Sequence, residues 1–428
     1  MKNIVVYILI FIALLEVKFF YVVSLPSILN TFNTYNNKML ILLFVIIGVI
    51  FAFLHELKFK IKKRVFNIEV ISFFIIYIIQ VFISCVKYDQ DFIEVFKASY
   101  FFLIPLLYYV LGYFLESEIK YKKLIKIIVL FSSVLSFLFI VQAIIYENFG
   151  IIFLRLEELS GNRFLMRNDR IRLIQPALII SFSIILSWAE LLKLEKRNNK
   201  ILHFYNIILG LIYLILVCQT RMLTLSILVS MTTIILVKRK GNLKQIALII
   251  LLAILMLVIY NLDFTKSFIK EFNLDSSTGS VYARQEGLDY YLKKIEDNPI
   301  SPVGLLNEGD GIDVHNLERS YILHGKQGYL FVSDVGIVGL TATLGIAGSI
   351  WFVFFIVKLL RILIYIRKNN KLEDFLELVG ITAFILVNIF TLIITDMERI
   401  MSLPVALAIF EYSYISCNGK FTKLNNFS

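Results

Sequence analysis

Arg221 stands where a positive charge is unusual. It follows Gln219 and Thr220 in a hairpin between two apolar segments, and this hairpin is too short to reach far into water. An arginine at membrane depth costs roughly 2.5–3.5 kcal/mol on insertion scales, so such a residue is a candidate functional residue. The alternative interpretation is a side chain that extends to the lipid headgroups. We predict a functional role for Arg221 at or just inside the outer interface.

A second arginine, Arg284, lies in a segment from 281 to 297 whose apolar residues recur at helical spacing. Arg284 precedes Leu288 by four residues, so both share one face of the predicted helix. That face is expected to turn toward the membrane domain and to carry Arg284 inward. The alternative is a surface arginine on an interfacial helix. Asn298-Pro299 is expected to end the helix.

A third candidate, His324, lies in a second amphipathic segment, from 317 to 331. Imidazole exchanges a proton near neutral pH, although a single histidine on an apolar face is more often structural. Asp334 and Gly336 follow at the start of the next apolar segment and favour a functional role. His315, which precedes Asn316, is the alternate histidine. Five residues fall on the His324 face at helical spacing: Leu317, Tyr321, His324, Gly328 and Phe331.

The elements that must position these residues are membrane helices. Of the 428 residues, 59% are hydrophobic and 18% are charged, against roughly 25% charged in soluble domains, and the mean hydropathy is +0.81. Apolar stretches long enough to cross the bilayer as helices recur along the chain. A transmembrane barrel would instead show short alternating segments. The sequence predicts an all-α polytopic membrane protein, with residues 1–428 as one membrane domain.

Twelve membrane spans are predicted, and the basic residues set their orientation. Five alternate connections are rich in Lys and Arg, whereas the short connections between them hold few. The positive-inside rule then places both termini in the cytoplasm. The net charge of +11 is therefore attributed to membrane orientation and not to nucleic-acid binding. The spans are 4–25, 39–55, 67–86, 98–115, 125–146, 173–192, 202–219, 222–237, 245–262, 335–357, 376–395 and 400–416.

Two predicted outer segments depart from the charge pattern. Residues 263–334 form a large loop between the ninth and tenth spans, with seven of the 19 glycines and two of the six prolines. A loop of that length is usually functional. The other segment, from about 147 to 172, suggests an anionic ligand at the outer face; lipid headgroups and loop carboxylates are the alternative. Its arginines include Arg163, Arg167, Arg170 and Arg172.

Motifs of other enzyme classes are missing from the sequence. It has no P-loop, no Gly-x-Ser-x-Gly, no His-Glu-x-x-His and no Cys-x-x-Cys, so ATP-driven and metalloprotease functions lack their usual residues. Asp89-Gln90-Asp91 matches the Asp-x-Asp pattern that holds a metal on sugar nucleotides, but it falls on the predicted outer side, where nucleotide sugars are not available. We expect neither a metal site nor a cofactor.

The chain resembles the bacterial O-antigen polymerase and O-antigen ligase family in its span pattern, its large outer loop and four motifs. One difference concerns the histidine. The family often has His-Asn, whereas Gly325 follows His324 and His-Asn occurs at 315–316, so both histidines stay candidates; the spacing to Gly336 favours His324. The four motifs are Arg163 to Pro176, Thr220-Arg221, Arg284 to Gly304 and His324 to Gly339.

The resemblance implies a GT-C-like glycosyltransferase of the cytoplasmic membrane. It would polymerise undecaprenyl-diphosphate-linked oligosaccharide repeat units of O-antigen or capsular polysaccharide at the outer leaflet. His324 would act as general base, and Arg221 and Arg284 would bind the diphosphate. The transfer would invert the anomeric centre without a metal. Secondary substrate contacts are assigned to Asp334 and to the outer arginines Arg163, Arg167, Arg170 and Arg172.

Two alternatives remain open. A ligase would pass the glycan to another acceptor, such as an outer-membrane lipid core. A flippase for the same lipid-linked oligosaccharide would share the number of spans, but transporters often show internal repeats and helices broken near the midplane. Besides membrane lipids and the lipid-linked substrate, a polysaccharide chain-length regulator is a candidate partner.

Overall fold

The computed structural model describes residues 43, 45–50, 53–54, 64–115, 117–151, 154, 166–167, 170–174, 176–193, 197–238, 280–308, 314–326, 328–396 and 399–418. This part of the chain is helical, apart from a short antiparallel ladder that pairs Met166–Arg167 with Arg170–Ile171. The helical character of the sequence prediction is confirmed.

Twelve α-helices are named here in chain order. They are α1 (Asn67–Tyr88), α2 (Phe92–Ser99), α3 (Leu107–Phe114), α4 (Glu118–Phe149), α5 (Ala177–Lys193), α6 (Arg197–Ile212), α7 (Arg221–Val237), α8 (Ser280–Asp297), α9 (Val314–His324), α10 (Gly336–Lys368), α11 (Leu376–Val387) and α12 (Leu403–Cys417). A 3₁₀ segment, Tyr100–Leu106, joins α2 to α3, and a π-helical turn, Tyr213–Cys218, extends α6. Three shorter 3₁₀ turns are Val332–Asp334, Leu372–Phe375 and Ile400–Ser402.

Six helices of the described chain are long and apolar enough to cross a membrane, judged by length and composition. Each overlaps a predicted span. The predicted spans 4–25 and 245–262 lie outside the described residues, as does most of 39–55. The predicted spans 173–192 and 222–237 correspond to α5 and α7, of 17 residues each. The six helices are Asn67–Tyr88, Phe92–Phe114, Glu118–Phe149, Lys200–Cys218, Gly336–Lys368 and Ile400–Cys417.

The predicted span 376–395 is wrong at its end. The helix stops at Val387, and residues 388–396 after it form turns and bends. The backbone N–H of Ile337 donates to the carbonyl oxygen of Ile389 at 2.8 Å. Gly336 lies so close that a Cβ atom there would be 2.3 Å from the same oxygen. The start of α10 therefore packs against residues 389–391 as an irregular segment, which hydropathy alone does not reveal.

Buried carboxylates tie the helices together at two places. In α12, Glu411 is 3% exposed and accepts hydrogen bonds from Arg64 Nη1 at 2.8 Å, from the Val65 backbone N–H at 3.1 Å and from the Tyr108 hydroxyl. In α11, Glu377 is 1% exposed and is held by Lys193 and by the hydroxyl of Tyr121. A buried charge needs such partners because desolvation is costly.

α10 is broken at Gly345, whose φ of 67° and ψ of −176° are not helical. The stretch 299–307 packs against this break. The backbone N–H groups of Val303 and Gly304 both donate to the carbonyl oxygen of Ala342 at 3.0 Å. Gln80, in α1, donates to the carbonyl oxygens of Ile300 and Leu344 at 2.7 and 3.2 Å. Irregular backbone is tolerated at membrane depth only where protein groups satisfy it, and here they do.

The C-terminal end of α1 holds the same stretch from the other side. Lys87 Nζ donates to the carbonyl oxygens of Ser301 and Pro302 at 2.6 and 2.9 Å, and the Tyr88 hydroxyl donates to that of Val303 at 2.6 Å. Gln90 exchanges two hydrogen bonds with the backbone of Asn307. Residues 299–307 are thereby fixed between α1 and α10, and this places Glu308, which follows directly.

Candidate functional site

The helix predicted at 281–297 is present as α8, which ends one residue before Asn298. The Asn298 side chain accepts hydrogen bonds from the backbone N–H groups of Ile300 and Ser301, which stabilises the turn after the helix. Tyr291 is fully buried, and its hydroxyl donates to the carbonyl oxygen of Leu323 at 2.6 Å. α8 therefore packs against the end of α9, as well as against α10.

Arg284 lies on the face of α8 that packs inward, as predicted. One turn further on, Gly287 is buried, and a Cβ atom there would lie 3.4 Å from Val335, at the start of α10. The Nε atom of Arg284 is buried and makes no hydrogen bond to any residue that the structure describes. The Glu286 carboxylate accepts a hydrogen bond from the hydroxyl of Tyr329. This contact raises the pKa of the Tyr329 phenol to about 12, so Tyr329 is neutral and donates this hydrogen bond over the physiological pH range.

The second predicted amphipathic helix is shorter than expected. α9 ends at His324, so the prediction of one helical face continuing to Gly328 and Phe331 is wrong. Gly325 follows with a φ of 70°, a left-handed conformation that glycine adopts without steric cost. The backbone N–H of Leu330 then donates to the carbonyl oxygen of His324 at 3.1 Å. A tight loop thus returns the chain to the histidine.

Both nitrogens of His324 face oxygen atoms. Nδ1 lies 2.8 Å from the carbonyl oxygen of Leu330, to which it donates, because a carbonyl oxygen only accepts. Nε2 pairs with Oε1 of Glu308. The ring also contacts Phe331, with ring centroids 5.1 Å apart. Glu308 and His324 are therefore in contact through Nε2, and the Leu330 carbonyl fixes the orientation of the ring.

Glu308 and His324 line a cavity of about 220 Å³. Its walls come from the Tyr100–Leu106 segment, the stretch after α8, the end of α9, the first turns of α10 and the turns after α11. On the wall formed by residues 393–396, Oδ2 of Asp396 accepts from Arg399 Nη1 at 2.6 Å. The same nitrogen donates to the carbonyl oxygen of Ser333 at 3.3 Å. The Glu308–His324 pair and the Asp396–Arg399 ion pair thus lie at the border of one cavity.

Arg221 is the first residue of α7 and is partly buried. The chain after the β-ladder runs beside the residues just before it. The backbone N–H of Leu173 donates to Val217, and Arg172 Nε donates to the carbonyl oxygen of Cys218, both at 3.2 Å. The structure therefore brings Arg172 to the hairpin that carries Arg221. Neither Arg221 nor Arg284 lines the His324 cavity.

The remaining predicted site residues are described in part. Arg163 lies outside the described residues, and only the backbone is described for Arg167 and Arg170, in the β-ladder, and for His315, in α9. Asp334 ends the 3₁₀ turn Val332–Asp334, directly after the cavity residue Ser333.

Three site residues were not singled out from the sequence. Glu308 follows a loop whose path depends on contacts with Gln90, just after α1 and more than 200 residues away in sequence. Asp396 and Arg399 had a signal: opposite charges three residues apart, a spacing that pairs side chains on a helical turn.

Comparison with known protein families finds no family model that matches the chain, and comparison with curated proteins finds no match. Within the part of the chain that the structure describes, no three His, Cys, Asp or Glu side chains are grouped closely enough to hold a metal ion.

Proposed function

We propose that this protein is a glycosyltransferase that polymerises undecaprenyl-diphosphate-linked oligosaccharide repeat units of O-antigen or capsular polysaccharide. The reaction takes place at the outer leaflet of the cytoplasmic membrane. The observation that carries the proposal is the Glu308–His324 pair in a cavity bordered by the Asp396–Arg399 ion pair. The pair can accept a proton from a sugar hydroxyl, and the cavity can hold the sugar.

The proposal includes the topology inferred from charge. Twelve spans in a GT-C-like arrangement, with both termini in the cytoplasm, place residues 263–334 outside. The six candidate spans are compatible with this arrangement. The lipid-linked diphosphate would then approach from the outer leaflet, where α8 and α9 meet the start of α10.

In the proposed reaction the acceptor sugar hydroxyl attacks the anomeric carbon of the donor repeat unit. A bond forms between the hydroxyl oxygen and that carbon, and the bond from the carbon to the phosphate oxygen breaks. Undecaprenyl diphosphate leaves as an anion and needs no proton. The hydroxyl proton passes to the Glu308–His324 pair and then to water. In-line attack inverts the anomeric centre.

Arg221 and Arg284 are proposed to bind the diphosphate. Guanidinium groups stay charged and bind phosphate oxygens through two parallel hydrogen bonds, and charge that grows on a leaving group is stabilised by such donors in a site shielded from water. The buried Nε of Arg284, which has no hydrogen bond within the described residues, suits this role. Arg172, beside the Arg221 hairpin, would add to the positive charge there.

One observation favours a transporter as the second candidate. α10 is broken at Gly345, and transporters often bind substrate at discontinuous helices. However, the carbonyl groups of Ala342 and Leu344 near the break are occupied by donors of the chain itself, from residues 303–304 and from Gln80. The break therefore fits a fixed loop better than an ion site.

The deciding experiment supplies purified protein in detergent with an undecaprenyl-diphosphate-linked oligosaccharide and separates the products by length on a gel. A ladder of multiples of the repeat unit is expected without added nucleotide. A single transfer to an added lipid-core acceptor, with no ladder, would identify a ligase instead. Movement of the same lipid between liposome leaflets, with no change in length, would identify a flippase and overturn the proposal.

A further inference from the structure

The side chain of Thr395 is buried without a hydrogen bond. Its relative exposure is 0%, and its hydroxyl oxygen has no hydrogen-bond partner in the part of the chain that the structure describes. Buried polar groups are ordinarily paired, so each exception needs an explanation. Thr395 also lines the His324 cavity. A ligand hydroxyl in that cavity would supply the partner.

Asp396, the next residue, also lines the cavity and provides a second polar group. Its Oδ2 atom is held by Arg399 at 2.6 Å, and the two side chains are 11% and 10% exposed. A carboxylate accepts several hydrogen bonds at once, so this one can accept from a ligand while it stays paired with Arg399. The ion pair holds the carboxylate in place at the cavity wall.

Aromatic rings form another part of the lining. Phe101 and Phe102 come from the 3₁₀ segment after α2, and Phe331 lies against His324. A pyranose ring presents C–H groups on its faces and hydroxyl groups around its rim. The negative face of an aromatic ring attracts the C–H groups. Thr395 and Asp396 can form hydrogen bonds with the hydroxyl groups.

The size and charge of the cavity narrow the choice of ligand. At about 220 Å³ it is smaller than the roughly 300–1,000 Å³ sites that hold drug-sized ligands, which suits a single sugar ring. Among the described residues that line it, Glu308 and Asp396 are carboxylates and none is Lys or Arg. This lining disfavours an acidic sugar.

We infer that the cavity is a subsite for one neutral monosaccharide, with Thr395 and Asp396 bonding its hydroxyl groups opposite the Glu308–His324 pair. This inference rests on the proposed function in one respect: the bound ring is the acceptor sugar of the growing glycan. The binding chemistry itself depends only on the cavity.

The test measures binding of free glycosides to the full-length protein in detergent by saturation-transfer difference NMR. The probes are the methyl glycosides of glucose, galactose and N-acetylglucosamine, with methyl glucuronide as the acidic comparison. At least one neutral glycoside is expected to bind and the glucuronide is not. Thr395→Val, which keeps the shape but removes the hydroxyl, should weaken that binding about fivefold, the effect of one neutral hydrogen bond.

Three further variants make the test specific. Thr395→Ser keeps the hydroxyl and should retain binding. Asp396→Asn should weaken binding by tenfold or more, because hydrogen bonds to charged groups are stronger. Thr391→Val is the matched control: the Thr391 hydroxyl is also buried without a partner in the described chain, but Thr391 does not line the cavity. The Thr391→Val protein should bind the neutral glycoside as tightly as the wild type does.

The outcomes separate this inference from the proposed function. If the wild-type protein makes a ladder but binds no neutral glycoside, or if Thr395→Val binds as well as wild type, the subsite is wrong and the polymerase stands. If glycoside binding depends on Thr395 but no ladder forms, the subsite stands and the polymerase is wrong. Where both hold, Thr395→Val should raise KM for the acceptor and leave kcat nearly unchanged.

Discussion

The Nε2 atom of His324, the last residue of α9, faces Oε1 of Glu308, which precedes α9 in the chain. Nδ1 donates to the Leu330 carbonyl, so Nε2 is the ring nitrogen that faces the carboxylate. The two side chains thus form one proton-accepting unit, comparable to a base held by a second residue.

Replacing either member of this pair should abolish most of the transfer activity. Glu308→Gln keeps the shape of the side chain but removes the carboxylate, and we expect kcat for ladder formation to fall by about 10²–10⁴-fold, the usual contribution of a positioned base. His324→Ala should cause a similar loss. The double variant should be little worse than either single one, since residues that act as a unit are not additive.

The matched control for Glu308→Gln is Glu318→Gln. Glu318 is exposed on α9, only ten residues further along the chain. The control should retain wild-type activity and appear in the membrane at the same level. Equal losses in both variants would assign the effect to loss of negative charge in this region and not to the pair.

The arginine variants test diphosphate binding. Arg221→Ala and Arg284→Ala should each abolish long-chain polysaccharide in cells while leaving the protein in the membrane, because a lost guanidinium leaves the leaving-group charge unstabilised. Arg361→Ala, at an exposed position of α10, should leave chain length unchanged. The readout is polysaccharide length on a gel beside membrane protein level. Normal chain length in both test variants would contradict the diphosphate role.

The helices could be predicted from the sequence because their signals are local. Apolar runs set the spans, and the position of Arg284 four residues before Leu288 predicted its inward face. His324 was singled out on one face of the predicted amphipathic segment 317–331, and the spacing to Gly336 favoured it over His315. In each case, residues within about a dozen positions along the chain carried the information.

The rest of the site depends on contacts between distant residues. The stretch 299–307 is fixed by Gln80, Lys87 and Gln90, more than 200 residues earlier in the chain. The periodicity of apolar residues in the sequence does not predict such long-range contacts. The helical pattern through Phe331 was misleading for a related reason. The chain turns at Gly325, and the contacts between His324 and Leu330 stabilise the turn.

Gly345→Ala should destabilise the protein strongly. Its φ and ψ lie in a region that is essentially restricted to glycine, which costs on the order of 1–3 kcal/mol for other residues. A Cβ atom there would also lie 2.0 Å from the carbonyl oxygen of Ile300. The apparent Tm in detergent should fall by several degrees or more, and ladder formation should fall with it, because residues 299–307 position Glu308.

Gly287→Ala is the control for that substitution. Gly287 lies within α8, and its added methyl group would make an ordinary contact with Val335 at 3.4 Å. Alanine is favoured over glycine within a helix by roughly 0.5–1 kcal/mol, so Tm should stay unchanged or rise. A Gly345→Ala protein as stable as Gly287→Ala would show that the break in α10 is not required.

The buried pair between Arg64 and Glu411 provides the last prediction. The two side chains are 9% and 3% exposed, so Glu411→Leu leaves the guanidinium buried without this carboxylate and should cost about 3–5 kcal/mol. Arg64→Met combined with Glu411→Leu removes both charges and should recover more than half of that loss, as measured by unfolding in detergent. The recovery should be incomplete, because the hydroxyl of Tyr108 also loses its acceptor.

The exposed pair of Glu118 and Lys122 gives the scale for comparison. Both side chains are more than two-thirds exposed, and water screens such a pair, so Glu118→Gln should change stability by less than about 0.5 kcal/mol. We expect Glu411→Leu to lower the free energy of unfolding much more than Glu118→Gln does, and the Arg64→Met, Glu411→Leu double variant to recover much of that loss. This result would establish that burial makes the stability depend on the Glu411 charge. A buried Arg64 without its carboxylate is penalised by desolvation. If Glu411→Leu lowers the free energy of unfolding no more than Glu118→Gln does, the Arg64–Glu411 contact does not hold α12 in place.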